Sequence, residues 1–80
     1  MLKRGVLKMK RYNEMMRELR EDHDLTQAQV AKVLGIKQQV YSTYELGIRS
    51  LPIEHFIRLC DFYEVSADYL LGRTKRKKDK

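Results

Sequence analysis

Apolar side chains recur along the chain at helical steps, and capping or turn residues interrupt them at short intervals. Tyr12, Met15, Met16, Leu19 and His23 share one stripe, which predicts a first helix ending near the acidic cluster Glu21, Asp22 and Asp24. Thr26 follows as an N-cap, because its side-chain oxygen can accept from the unpaired N–H groups of a helix start. The short helix it opens carries Val30, Ala31, Val33 and Leu34. Gly35 stops that helix, since glycine tolerates the left-handed conformation of a tight exit. A third helix is expected from about Gln38 to Leu46, with Tyr41 and Tyr44 inward and Gly47 closing it in the same manner. Pro52 opens a fourth, where a missing N–H costs nothing, and this helix carries Ile53, Phe56, Ile57, Leu59, Cys60 and Tyr63. Ser66 caps a last short helix, Ala67 to Leu71, which Gly72 ends. No run alternates apolar and polar residues for long enough to argue a strand. The fold class is therefore all-α, with five helices over residues 12–72 crossing steeply about one core.

Length narrows the picture. A chain of 80 residues buries only about 60% of its unfolded surface, enough for one modest core and no second lobe. Cys60 is the single cysteine and has no internal disulfide partner, which fits a reducing, cytoplasmic compartment. No apolar stretch of signal-peptide or membrane-span length occurs, so neither a leader nor a membrane is expected. The net charge of +6 divides unevenly. Residues 1–11 hold five basic residues and no acid, and residues 73–80 hold six basic residues against one acid. The body, residues 12–72, holds six basic and ten acidic residues. Three regions follow: a basic N-terminal extension, a mildly acidic helical domain and a basic C-terminal tail. Basic tails suit a polyanion.

Catalytic chemistry is not expected. His23 and His55 lie far apart, Cys60 has no companion at metal-ligand spacing, and the glycines are too scattered for a phosphate-cradling loop. Neither a metal, a cofactor nor a small-molecule substrate is implied. The informative stretch runs from Thr26 to Arg49, where Ala31, Leu34, Ile36, Tyr41 and Tyr44 set two short helices at a steep angle about Gly35. That is a helix-turn-helix, whose second helix can enter a major groove about 12 Å wide. With Tyr41, Tyr44 and Ile48 as the inner stripe, Gln38, Gln39, Ser42 and Thr43 turn outward as candidates for reading bases. A glutamine can pair with adenine N6 and N7 through two hydrogen bonds, and a hydroxyl serves donors or acceptors.

These residues carry a resemblance. Leu19-Arg20, Leu25-Thr26-Gln27, Ala31, Leu34-Gly35, the Tyr41…Tyr44-Glu45…Gly47 run and Val65 to Gly72 stand in the order and register of the phage-repressor family. Residues 12–72 thus resemble the Cro/XRE-type, lambda-repressor-like helix-turn-helix domain. The resemblance implies a sequence-specific binder of double-stranded DNA, dimeric on a pseudo-palindromic operator. It also implies that Gln38, Gln39, Ser42 and Thr43 face base edges, and that Gln27 and Arg49 face phosphates. Lys37 stands where a capping serine or threonine is common, which weakens the cap and adds a charge able to reach phosphate. Leu46 replaces a usual polar residue beside Gly47, and Tyr41 and Tyr44 are larger than the usual aliphatic residues, so their hydroxyls need solvent or a partner. Arg20, one turn after Met16, and Glu45, one turn after Tyr41, are expected to pair at the core edge.

The leading expectation is a transcription regulator, most simply a repressor that occludes a promoter. It is expected to act as a homodimer through the last two helices, with Leu46 and Ile48 at the interface edge. An antitoxin or phage-immunity protein that also binds a partner is the first alternative. A protein-interaction module without DNA binding is the second, and only the DNA binders would show steeply salt-dependent retention on duplex.

Overall fold

The computed structural model describes residues 11–77. Five helices follow in order: α1 (Tyr12–Asp22), α2 (Gln27–Leu34), α3 (Gln38–Glu45), α4 (Ile53–Tyr63) and α5 (Ala67–Leu70). Three of the starts have a local cause. Thr26 and Gln29 form a reciprocal capping box, the threonine oxygen accepting from the Gln29 N–H while the Gln29 side chain accepts from the Thr26 N–H. Ser66 accepts from the Tyr69 N–H in the same way. Pro52 is the N-cap of α4, just outside the first helical residue.

Packing gives these short helices their stability, because segments of eight or eleven residues are marginal alone. α3 lies against α1 and α2, α4 against α2 and α5, and α5 returns to α1. Met16, Leu19, Val30, Tyr41, Leu59 and Leu70 are fully enclosed, so every helix contributes to one core. No helix among the described residues is long and apolar enough to cross a membrane.

The structure corrects several expectations. α1 ends at Asp22, within the acidic cluster as expected, but His23 is its exposed C-cap and not part of the buried stripe, with its ring Nδ1 2.9 Å from the Leu19 carbonyl. Of the apolar residues that the sequence puts on α4, Ile53 and Ile57 are 64% and 54% exposed. The cause is that apolar residues on α4 span more of its circumference than its neighbours cover, and Phe56, Leu59 and Tyr63 take the covered side. Ile48 does not continue the inner stripe of α3. The helix stops at Glu45, Gly47 turns the chain with φ +77°, and Ile48 is 69% exposed. Leu71 likewise falls just outside α5 as its C-cap. The expectations for residues 1–10 and 78–80 lie outside the described residues.

Candidate nucleic-acid interface

The turn between α2 and α3 sets the geometry. Gly35 takes φ +72° and the Ile36 N–H donates back to the Ala31 carbonyl, which closes α2 within one residue. The chain then re-enters a helix at Gln38 with Lys37 as N-cap, and no side chain caps that end. Gln38 and Gln39 on its first turn are exposed, while Ser42 and Thr43 one turn on are half-buried. Gln27, Gln38, Gln39 and Ser42 line one shallow cleft between the starts of α2 and α3. Thr43 is not part of it. Its hydroxyl donates to the Val40 carbonyl at 2.6 Å, and its own carbonyl accepts from the N–H groups of Ile48 and Arg49. Thr43 thus closes the C-terminal end of α3, and only its hydroxyl lone pairs remain for an outside donor.

Behind the cleft, Arg20 and Glu45 are brought together at the core edge. Arg20 Nε donates to Glu45 Oε2 at 2.7 Å and Arg20 Nη2 to Glu45 Oε1 at 3.1 Å. Tyr41 Oη donates to Oε2 at 2.6 Å, and Gln27 Nε2 to Oε1 at 3.1 Å. The 3% exposed carboxylate therefore accepts four hydrogen bonds. Arg20 Nη1 also donates to the Leu25 carbonyl, just before the α2 cap. One ion pair thereby fixes α1, the start of α2 and α3 relative to one another.

Burial by itself would raise the Glu45 pKa, but the hydrogen bonds from Arg20, Tyr41 and Gln27 outweigh it and hold it below the usual value. Its bond to Glu45 raises the Arg20 pKa. Burial first, then the bond to Glu45, raises that of Tyr41. Tyr63 shares this region without sharing the bonds: its hydroxyl is buried with no partner among the described residues, and burial followed by the Glu45 charge pushes its pKa up to about 12. Cys60 is half-buried and its thiol is raised, mainly by burial, which suits a packing role.

Lys37 and Arg49 are exposed at opposite ends of α3. Arg49 shares a second groove with Arg11, Asn13, Ile48, Ser50 and Leu71. Two long-range hydrogen bonds with α1, which no local sequence pattern marks, support this groove. The Leu51 N–H donates to Tyr12 Oη at 3.1 Å, and Asn13 Nδ2 donates to the Glu45 carbonyl at 3.0 Å. Tyr12 was legible only as an apolar position, and nothing in local spacing marks Asn13. Leu46, 67% exposed, lies apart from both the cleft and this groove, beside Glu14, Arg17, Glu18 and Glu21 of α1.

Known proteins resemble this chain in sequence and fold. YobD of Bacillus subtilis, an uncharacterized HTH-type transcriptional regulator, is 38% identical over 63 residues, spanning 79% of this chain and 56% of that one. The cryptic phage CTXphi transcriptional repressor RstR of Vibrio cholerae is 35% identical over 54 residues, 68% of this chain and 49% of that protein. The crystal structure of a transcriptional regulator from Listeria innocua superposes with a TM-score of 0.75 at 26% identity, covering 88% of this chain and 65% of that one. The chain spans about half the length of the curated relatives it matches. The helix-turn-helix family HTH_3 matches residues 16–70, from the middle of α1 to the end of α5. The chain belongs to the Cro/C1-type helix-turn-helix family.

Proposed function

We propose that this protein is a sequence-specific regulator of transcription, most simply a repressor, that lays α3 in the major groove of double-stranded DNA. The observation that carries the reading is the cleft of Gln27, Gln38, Gln39 and Ser42. It gathers two carboxamides and a hydroxyl of α3, groups that hydrogen-bond to base edges, beside the Gln27 carboxamide at the start of α2, and Glu45 ties the two helices together from behind. Gln38 and Gln39 reach the bases, with Ser42 and the remaining lone pairs of Thr43 beside them. Lys37 and Arg49 take phosphates, and Arg11 joins Arg49 because the two share one groove. Gln27 has one amide N–H committed to Glu45, so its second N–H and the start of α2 are what remain for a phosphate. The acidic body turns a duplex away from the other faces. A homodimer would place two copies of α3 in successive major grooves about 34–36 Å apart, on an operator of two similar half-sites, in the cytoplasm.

Selection of bound sites from random duplex DNA tests this directly. The expected product is a two-half-site motif. Gln38→Ala or Gln39→Ala should cost about 1–3 kcal/mol on it and relax preference at one or two base pairs. Unchanged affinity and base preference in both variants would remove α3 as the reading helix.

A further inference from the structure

Among the described residues six large apolar side chains remain at the surface, and the charges around them differ from place to place. A two-fold contact presents the same patch to itself, so a patch with one sign of charge repels its copy and a patch with both signs attracts it. Leu46 lies among Glu14, Glu18 and Glu21, where the one cation, Arg17, is already paired with Glu21 at 3.1 Å. Ile48 and Leu71 lie beside Arg11 and Arg49, a setting for a polyanion and not for a second copy. The outward face of α4 is different. Ile57 and Phe62 line a groove with Val33, and Glu54, Arg58 and Asp61 share it. Ile53, one turn before Ile57, extends the apolar flank. Among the described residues none of Glu54, Arg58 or Asp61 takes part in an ion pair. The groove therefore holds an exposed apolar flank and unpaired charges of both signs.

We propose that this face of α4 is the homodimer interface. A second copy docks on it across a two-fold axis, covering Ile57 and Phe62, with Arg58 of each copy facing the acidic residues of the other. The proposal rests on the reading of the protein as a dimeric regulator, and it names the surface that the reading leaves open. It also explains why α4 carries isoleucines that its own core does not use.

Sedimentation equilibrium of the full chain tests it. The wild type should associate as a dimer, and Ile57→Glu should be monomeric, melting as the wild type does when diluted to monomer, since that side chain is already 54% exposed. Charge pairing gives the sharper arm. Arg58→Glu makes the groove wholly acidic, and the double variant Glu54→Lys, Asp61→Lys makes it wholly basic. Each should self-associate at least about tenfold more weakly than wild type, while an equimolar mixture should recover a heterodimer. A wild type that stays monomeric, an Ile57→Glu variant that stays dimeric, or charge variants that ignore one another when mixed would each overturn the proposal. Binding of Ile57→Glu to a duplex with one half-site is measured alongside. Retained half-site affinity in the monomer upholds the interface and the DNA reading together. Failure of every form to bind duplex, with the association pattern intact, upholds the interface and removes the DNA reading alone.

Discussion

Replacing Glu45 by glutamine is the most informative single change to the fold. Glutamine keeps the size and shape of the side chain, so the effect isolates charge and hydrogen bonding. The lost carboxylate is 3% exposed and its partner Arg20 only 14% exposed, so the guanidinium would be left mostly out of water without a counter-charge. Breaking a buried pair in this way costs about 3–5 kcal/mol. The amide that replaces one oxygen also cannot accept from the donors aimed at it, Arg20 and Gln27 on one side or Arg20 and Tyr41 on the other. Domains of this size are stable by roughly 4–12 kcal/mol, so the loss is a large share of the total. At about 4–8 °C per kcal/mol, the melting temperature should fall by at least 12 °C or so. The pH dependence gives a second reading. Glu45 titrates below its ordinary value near 4.5 when folded, so its contribution is fully present above that pH and is lost as pH falls through the folded value. Urea melts followed by far-UV circular dichroism at neutral and acid pH should therefore show wild type losing more stability on acidification than Glu45→Gln. A neutral-pH cost below about 1 kcal/mol, or equal acid sensitivity in the two proteins, would refute the assignment of Glu45 as the central support of α3.

Tyr41 and Tyr63 should respond differently to loss of the hydroxyl. Tyr41→Phe removes a donor from a buried carboxylate and should cost about 1.5–3 kcal/mol, whereas Tyr63→Phe removes an unpartnered buried hydroxyl and should be neutral or stabilising in the same melts. Gly35→Ala meets open space and should cost only the left-handed backbone term, about 1–2 kcal/mol. Gly47→Ala should cost more, because its Cβ would come 3.3 Å from the Asn13 amide that holds the Glu45 carbonyl, and chemical denaturation would rank the two. Arg49→Ala and Lys37→Ala should weaken all duplex sequences about equally and each lower the salt slope by about one, read from filter binding across a salt series. A base-dependent loss in either would move that residue off the phosphate backbone.

The helices themselves were legible because their signals are local. Thr26 with Gln29, Gly35, Pro52 and Ser66 act on neighbours a few residues away, and the structure places α2 to α5 within a residue or so of those marks. Which side of a helix faces inward was less legible where apolar residues outnumber the available contacts, as Ile53, Ile57 and Ile48 show. Nothing in α4 alone says that its neighbours cover Phe56 and Leu59 and leave the isoleucines uncovered. The candidate reading surface could be placed on α3 from residue type and period. Its supports, Asn13 and Tyr12, act across more than thirty residues of sequence, and no local pattern encodes them.

Along α3 the duties of adjacent side chains are sharply divided. Tyr41, Thr43 and Glu45 are tied into the fold, whereas Gln38 and Gln39 are exposed and their side chains make no hydrogen bond among the described residues. Changes at 38 and 39 are therefore nearly free of folding cost, while changes at 41 and 45 are not. If Gln38 and Gln39 read bases as proposed, a lineage carrying this scaffold can change its sequence preference by trading those two letters without passing through unfolded intermediates. On the same condition a designer can retarget the domain, provided that Gln27, Tyr41 and the Arg20–Glu45 pair are left as they stand.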